Sequence, residues 1–518
     1  MLDVWSWISD LPFSGEWGAT DEPLVFQLAT SPCDPTRTLQ LQARRTPSSS
    51  PANPDAFFIT LSVCLRGATP STLWASDAYL LNSSGPTTNT TFLLPLFLHL
   101  LHEIFTRAPT TSTYSSSGRS QKLRPEPVSW ILDTHSPESF SSFFNLVLLT
   151  RLFWACACDA PSEVGSFYLD SLLSPNIHSL LTASKPVLAK FLVAVGADAE
   201  LCFVRTLGYM LAKWIISREV AAGAGLRTLV PPLLPAVFSY AVEAYGYWTL
   251  KGYAPIPAMR PSGAPIKPFP LEPNDLSLLK YALAHQQLEA VIQLHYSVAF
   301  HEAYVQVSAR VDNLRFHVAK LRFSGESEYS EERHFVSRVR AWVGPEIGAT
   351  YVAGLTAGRS THNGESETTE LLHVGKGGPG NFGMLLAREA TRTRVKGWRW
   401  DQDVEGNAVV FDAVLHDAAT GQEYCSGGGG GDGPRRMRSS TGPNRPFTKA
   451  RGLIFAGEEY GDEVTWRLGK EMEGSVLKWR IGGEVWVTYF PNQVHTSFCE
   501  TRSVEWSDEV DLPLIPGK

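Results

Sequence analysis

The strongest constraint on the fold is a change of hydrophobic period within Asn274–Phe323. Up to about Ala299, apolar residues recur at three- and four-residue spacing, which is typical of one face of an amphipathic helix. From Tyr304 onward, apolar and polar residues alternate, which is typical of a half-buried strand. The chain is therefore expected to change from helical to β structure here.

The details of this stretch predict a helix, a strand, a tight turn and a second strand. Asn274 and Asp275 can cap a helix N-terminus, and the helical stripe follows at Leu288, Val291, His295 and Val298. Asp312-Asn313 predicts the turn, because both side chains tolerate turn geometry. We expect this seam to join a helical region to the first hairpin of a β region, so that the two regions share a core.

The residues before the seam predict two regions. Residues 1–90 form a small strand-rich unit, with strands at Leu24–Ala29, Thr38–Arg44 and Ala56–Arg66. Residues 91–273 form a helical region, with loops at 106–127 and at the proline-dense stretch 253–273. Its apolar segments predict helices at Phe140–Cys158, Ser166–Leu181, Pro186–Ile216 and Pro235–Leu250.

Residues 274–518 predict a helix that leads into a β-sandwich-like domain, with a disordered insert at 427–442. The predicted strands are short and rich in β-branched and aromatic residues: Phe335–Val343, Tyr351–Ala357, Ala408–His416, Leu453–Ala456, Val464–Leu468, Val476–Ile481, Val485–Phe490 and Thr496–Trp506. The fold class is therefore α+β, with a helical N-terminal region and a small β unit, followed by an antiparallel β-sandwich-like C-terminal region.

Composition restricts the classes of function. A net charge of −7 over 518 residues argues against nucleic-acid binding through bulk charge. Seven scattered cysteines favour free thiols in a reducing compartment over a disulfide framework. The N-terminus has no signal-peptide pattern, so a cytoplasmic location is expected, with membrane association possible. The apolar segment Ser139–Cys158 is interrupted by Arg151, which favours a buried helix over a membrane span.

Gly375, Gly377 and Gly380 satisfy the GxGxxG pattern after an apolar run. Such glycines let a backbone approach the phosphates of a nucleotide or S-adenosylmethionine. However, Pro379 occupies the place of a helix N-terminus, and Met384–Lys396 fits a strand at least as well as a helix. A glycine-rich hairpin loop is the favoured interpretation.

A basic run follows at Arg388, Arg392, Arg394 and Lys396, whose shared parity places them on one face of a strand. Such a ladder could bind phosphate, an anionic lipid head group or RNA. The favoured alternative is a solvated outer face whose charge is balanced by acids such as Glu458.

Other candidate sites are incomplete. His99 and His102 with Glu103 lie about one helical turn apart, but a third metal ligand at a known spacing is missing. Cys156 and Cys158 lie in an apolar helix and are interpreted as structural thiols. The sequence predicts no metal, no cofactor and no catalytic residue.

Several strings resemble a land-plant family of uncharacterised proteins, over essentially the whole chain, with the glycine-rich stretch at Gly427–Gly433 as a departure. The strings are Trp5–Ser9, Pro125–Trp130, His135–Asn145, Ala282–Glu289, Ala309–Asn313, Trp398–Asp403, Arg445–Lys449 and Glu500–Arg502. Some members of that family are loosely described as transmembrane. The resemblance implies a plant cell and brings no activity, cofactor or catalytic residue.

The leading functional hypothesis is a non-catalytic intracellular binding or scaffold protein. One alternative is a nucleotide- or S-adenosylmethionine-dependent enzyme that uses the Gly375–Gly380 turn. A second alternative is a peripheral membrane protein that binds anionic lipid through the basic run. The partner is unknown, and either a protein or an anionic lipid or phosphate ligand fits these hypotheses.

Overall fold

A computed structural model gives the structure of the chain, which divides into two compact units. The first contains residues 1–240, 253–288 and 319–330, and the second contains 241–252, 289–318 and 331–518. The structure describes residues 3–11, 17, 22–32, 34–47, 57–67, 70–81, 89–111, 123–221, 238–256, 286–322, 333–358, 364–372, 387–395, 398–416, 452–456, 463–490 and 500–516.

The first unit begins with a short helix and a four-stranded antiparallel meander. These elements are α1 (Val4–Asp10), β1 (Leu24–Thr30), β2 (Thr38–Pro47), β3 (Phe57–Arg66) and β4 (Ser71–Leu81), with sheet order β1-β2-β3-β4. Along β2, Leu39, Leu41 and Ala43 are buried and alternate with polar residues, as one packed sheet face requires. The three strands predicted here are confirmed, and β4 extends the sheet.

The rest of the first unit is mainly helical. In chain order it contains α2 (Asn89–Thr106), the short strand β5 (Thr110–Thr111), α3 (Pro125–Thr134), α4 (Pro137–Phe153), a π-helical turn (Trp154–Cys158), α5 (Ser162–Phe167), a second π-helical turn (Tyr168–Leu173), α6 (Ser174–Val195) and α7 (Ala197–Ala221). Helix α4 is buried around most of its circumference, which confirms the prediction of a buried apolar helix there. The predicted helix Pro186–Ile216 is two helices, because Gly196, with φ +89°, ends α6.

The predicted helix Pro235–Leu250 is wrong over the described residues from Phe238 onward. The chain forms the strands β6 (Phe238–Ala244) and β7 (Tyr247–Ile256). Tyr245 and Gly246, at φ 53° and 80°, connect them. Two successive residues with positive φ are what a tight hairpin turn of matching twist requires.

The predicted helix at the seam is also wrong where the structure describes it; residues 274–285 lie outside the described residues. Strand β8 (Gln286–Phe300) buries Leu288, Ala290, Ile292, Leu294 and Tyr296. That spacing of two puts one face of a strand in the core, whereas the three- and four-residue stripe does not match the burial.

The predicted turn at Asp312-Asn313 is wrong as well. Strand β9 (Tyr304–Arg322) passes through both residues, with Val311 and Leu314 buried on either side of them. The chain turns earlier, where the His301 amide donates a hydrogen bond to the Tyr304 carbonyl over 3.0 Å.

Ten further strands follow: β10 (Arg333–Pro345), β11 (Val352–Thr356), β12 (Gly364–Leu372), β13 (Ala387–Val395), β14 (Trp398–Glu405), β15 (Ala408–Leu415), β16 (Gly452–Ala456), β17 (Val464–Gly469), β18 (Val476–Phe490) and β19 (Glu500–Pro513). A short 3₁₀ helix, Lys470–Met472, lies between β17 and β18. One sheet has the order β14-β15-β10-β18-β19. A second has the order β11-β17-β9-β8-β7-β6, with β16 and β5 also paired to β9, and β12 and β13 form a two-stranded sheet.

The two larger sheets pack face to face in the second unit. Trp248 on β7 stacks on Trp479 on β18, with ring centroids 5.9 Å apart. Trp466 on β17 meets Trp479 edge to face at 5.4 Å. These contacts between strands of different sheets form a sandwich core, so the predicted α+β class with an antiparallel β-sandwich-like C-terminal region is confirmed.

The predicted break between Val476–Ile481 and Val485–Phe490 does not exist, because β18 runs through Gly482 and Gly483. A Cβ atom on Gly482 would lie 2.1 Å from the Trp342 ring, and one on Gly483 would lie 2.3 Å from the Ile292 side chain. These glycines therefore admit neighbouring side chains on opposite faces of a continuous strand.

Candidate functional site

The GxGxxG glycines, Gly375, Gly377 and Gly380, lie outside the described residues. The strands before and after them, β12 and β13, pair antiparallel. A dinucleotide-binding motif needs a strand, a turn and then a helix. Two antiparallel strands that flank the glycines instead fit a hairpin. Nucleotide binding by these glycines stays a prediction.

The basic run falls on β13, which confirms the strand predicted there over Ala387–Val395. Its register places Arg392 opposite Glu367 and Arg394 opposite Glu365, while Arg388 lies opposite Leu371. Cross-strand partners of opposite charge stabilise a sheet, so two of the three arginines have a counter-charge within the hairpin. Lys396 lies outside the described residues, and anion binding by the run stays a prediction.

A buried ion pair connects α2 and α4 in the first unit. Arg151 donates two hydrogen bonds to Glu103, from Nε to Oε2 over 2.7 Å and from Nη2 to Oε1 over 3.1 Å. The Trp74 indole donates a third to Oε2 over 2.9 Å. Burial raises the pKa of Glu103, but the hydrogen bonds and charge of Arg151, with help from Trp74, outweigh it and lower the pKa.

The ion pair extends to the surface through His99. Its Nε2 atom lies 3.7 Å from Glu103 Oε1, and its Nδ1 atom lies 2.8 Å from the Tyr79 hydroxyl. Asp77, which is largely exposed, lies 3.7 Å from the same Nδ1 atom. Burial, followed by the charges of Asp77 and Glu103, raises the pKa of Tyr79. Tyr79 stays protonated and Glu103 stays ionised near neutral pH, which suits a structural network better than a nucleophile or a general acid.

This network also explains why the apolar helix α4 contains a charged residue. Among the described residues, Pro137–Cys158 is the one helix long and apolar enough to cross a membrane, and 94% of its apolar window is buried. Arg151 lies within that helix and is held by Glu103. A paired arginine in a helix that is covered by protein is the expected state of a core helix.

A second buried carboxylate lies at the N-terminal end of α7. Glu200 is 3% exposed and accepts hydrogen bonds from the hydroxyls of Tyr240 and Tyr253, each over 2.5 Å. Burial first, and then the neighbouring Glu200, raises the pKa of Tyr240. The hydroxyls of Tyr240 and Tyr253 thus satisfy a buried carboxylate near a helix N-terminus.

The five-stranded sheet has a solvent-facing side that we call the outer face. Its inner side carries the buried Val339, Val485 and Trp506. At one level of the register, the outer face presents one charged residue from each of the five strands: Asp401, Asp412, Arg340, Glu484 and Glu505. Asp401 lies opposite Asp412, and Glu484 lies opposite Glu505, so like charges face each other on both sides of Arg340.

Arginine and tryptophan residues occupy the neighbouring levels of the outer face. Arg338 forms a two-pronged ion pair with Asp412 and lies over the Trp486 ring, 4.7 Å from its centroid. Trp342 covers Gly482 on the next strand. Both tryptophans are half-buried, so part of each ring faces solvent.

The acid pair between β18 and β19 places Glu484 directly opposite Glu505. Burial raises the pKa of Glu484, and Glu505 raises it further. A hydrogen bond from Ser503 and the charges of Arg340 and Arg338 act in the opposite direction and are outweighed. Glu484 thus has a raised pKa, with the like charge of Glu505 as one of the causes.

A metal site and an open cleft are the two other kinds of site to compare with the outer face. Within the described ranges, no group of three His, Cys, Asp or Glu residues is arranged to hold a metal ion. An open cleft of about 800 Å³ lies on the first sheet and includes Asp34, Gln42, Cys64, Arg66 and Thr72 among its lining residues.

Comparisons with known proteins do not assign a family. No family model and no curated protein match the chain. Among solved structures, the chain is similar to Clostridium perfringens delta-toxin, with 8% identity, a TM-score of 0.24, and coverage of 53% of this chain and 96% of that one. It is also similar to a structure described as a pore forming protein, with 10% identity, a TM-score of 0.22, and coverage of 52% and 94%. At these TM-scores the likeness carries no argument about function.

None of the predictions from sequence pointed to the outer face. The sequence pattern that could have indicated it is the alternation of charged residues and tryptophans with buried apolar residues. On β10 these are Arg338, Arg340 and Trp342, and on β18 they are Glu484 and Trp486. Those patterns show that each strand has a charged side, but the row appears only when the five strands are in register.

Proposed function

We propose that this chain is a non-catalytic binding protein and that the outer face of the five-stranded sheet binds a lysine- or arginine-rich segment of a protein partner. The observation that carries the proposal is the pair of opposed carboxylates, Glu484 and Glu505, beside Trp486. Like charges directly opposite on a sheet are destabilising, and a partner's cation between them removes the repulsion.

The surroundings of the acid pair support the same class of partner. Arg338 lies over one face of the Trp486 ring, so this ring already makes a cation–π contact within the chain. Tryptophan and arginine are also the residues that most often dominate binding energy at protein interfaces. The outer face thus combines negative charge with partly exposed aromatic rings.

The buried polar clusters favour binding over catalysis. Glu103 is held ionised by Arg151, and Glu200 is held by two tyrosine hydroxyls whose protons it accepts in hydrogen bonds. These carboxylates are committed to partners on neighbouring elements. The free thiols of Cys64, Cys156, Cys158 and Cys202 support an intracellular location as part of the proposal.

The test is a titration of the whole protein with a lysine- and arginine-rich peptide, followed by fluorescence anisotropy, with a glutamate-rich peptide of equal length as reference. The double substitution E484Q/E505Q is expected to weaken binding of the cationic peptide roughly 2- to 30-fold, if each lost charge pair contributes about 0.2–1 kcal/mol. Added salt is expected to weaken wild-type binding as well.

A matched control is E126Q/D133N, which removes the same charge from the exposed side of α3. If that variant weakens binding as much as E484Q/E505Q, the effect comes from net charge and the outer face is not the site. Binding of adenine nucleotides or S-adenosylmethionine would instead favour the Gly375–Gly380 alternative. Flotation with anionic liposomes that is lost in R388E/R392E/R394E would favour the membrane alternative.

A further inference from the structure

The two-stranded sheet of β12 and β13 differs from the other sheets because its strands pair only with each other in the part of the chain that the structure describes. Nine residue pairs join them, from Gly364 opposite Val395 to Leu372 opposite Ala387, without a register shift. An isolated two-stranded hairpin is marginally stable in water, and its outer edges present unpaired backbone N–H and C=O groups.

Of the features that usually prevent strand addition, proline and bulges are absent from both strands, and charged side chains are present on both. Both strands lack proline, and the uninterrupted register leaves no bulge that would twist an edge away. Within the described residues, the outer edges of β12 and β13 can therefore accept another strand if its charges complement theirs.

The charges of the two strands are opposite in sign. Strand β12 contains Glu365, Glu367 and Glu370 and no basic residue, whereas β13 contains Arg388, Arg392 and Arg394 with one acid, Glu389. Two β12 edges would repel each other, and so would two β13 edges. A β13 edge placed beside a β12 edge brings opposite charges together, and the alternation of strand direction continues.

We propose that this hairpin binds the same hairpin of a second copy of the chain, with the basic strand β13 of one copy beside the acidic strand β12 of the next. The contact uses two different edges, so it is heterologous: copies add head to tail and either close into a ring or continue as a filament. The proposal is independent of partner binding on the outer face, because it uses a different sheet.

The experiment uses the full chain and two charge-reversed variants. E365R/E367R makes both strands predominantly basic, and R392E/R394E makes both predominantly acidic. Size-exclusion chromatography with light scattering measures the mass of each protein at low and high salt. Wild type is expected to have a mass of two or more chains at low salt and to shift toward one chain as salt is added.

Each variant alone is expected to have the mass of one chain, because its edges carry like charges. An equimolar mixture of the two variants is expected to regain the larger mass, with both variants present in the complex, because basic edges then meet acidic ones. Differently tagged variants allow the two species to be counted by native mass spectrometry.

Three results would overturn the proposal: a wild type that stays a single chain at every salt and protein concentration, single variants that associate like wild type, or a mixture that does not associate. Circular dichroism of each variant monitors folding. If a variant does not fold, the folding control is T368R/T391E. This variant places opposite charges on Thr368 and Thr391, which lie directly opposite each other, so it tests whether the hairpin tolerates charge substitution.

Discussion

The Glu103–Arg151 pair provides the most direct test of how the first unit is held together. The perturbation is R151M, which keeps much of the apolar volume of the side chain and removes its charge and its two hydrogen bonds to Glu103. The Arg151 side chain is 8% exposed and that of Glu103 is 26% exposed. The substitution therefore leaves a mostly buried carboxylate without its counter-charge.

Removing one partner of a buried ion pair typically costs about 3–5 kcal/mol, because the other charge is left uncompensated. Here the cost is expected at about 2–3 kcal/mol, because Glu103 is partly exposed and keeps the hydrogen bond from Trp74. The double variant E103Q/R151M removes both charges and is expected to be more stable than R151M. The two substitutions should therefore be non-additive by about 1–2 kcal/mol.

The assay is equilibrium unfolding in urea, followed by circular dichroism and tryptophan fluorescence, for wild type, both single variants and the double variant. If the two units unfold in separate transitions, the transition that responds to R151M is the one to compare. A loss below about 1 kcal/mol for R151M, or additive effects of the two substitutions, would refute the reasoning, since measured effects of independent sites add.

The same pair predicts a pH dependence. The pKa of Glu103 lies below its ordinary value of 4.5 in the folded protein, so ionised Glu103 stabilises the fold above pH 4.5. This contribution is lost as the pH falls from 4.5 through the lowered pKa. E103Q is expected to have a shallower loss of stability over that acidic range, measured by urea unfolding at a series of pH values.

Two further predictions concern the second unit. G482A is expected to destabilise the second unit by about 1–3 kcal/mol, because the added methyl group meets the Trp342 ring. The control is G354A, which should have a much smaller effect because nothing lies within 4 Å of its added methyl group. Equal losses of stability in thermal unfolding would contradict the packing role of Gly482. The fragment 301–518 is expected not to fold cooperatively, because it lacks Trp248 and Ile292 from the sandwich core, and the fragment 238–518 is the comparison that restores both. Soluble, cooperatively unfolding 301–518 would show that β6, β7 and β8 are dispensable.

The sequence by itself determined those helices and strands whose hydrophobic pattern fits one type of secondary structure only. Helix α4 was predicted because most positions in Phe140–Cys158 are apolar, and a segment buried on most sides has the same composition in any packing arrangement. Strands β2 and β3 were predicted because their strict alternation fits one period only. The α+β class follows from these local signals.

The tertiary structure decided the cases in which local signals fit two periods. In β8, Leu288 fits both the helical stripe and the strand face, and the choice depends on which neighbours Ala290 and Ile292 meet across the sandwich. Gly482 and Gly483 look like a turn in sequence. In the fold they lie within a strand and allow the side chains of Trp342 and Ile292 to approach its backbone closely. These two side chains come from strands far away in the chain.

The candidate site belongs to the same category. The sequence predicted a break between strands at Glu484 and a strand over Thr496–Trp506 that contains Glu505, with nothing to indicate that the two residues face each other. Their opposition results from the register of β18 and β19, and that register is set by side chains on the buried face of the sheet, among them Val485 and Trp506. The sequence of each strand thus determines which residues are charged, but packing on the buried side of the sheet determines which of them lie opposite each other.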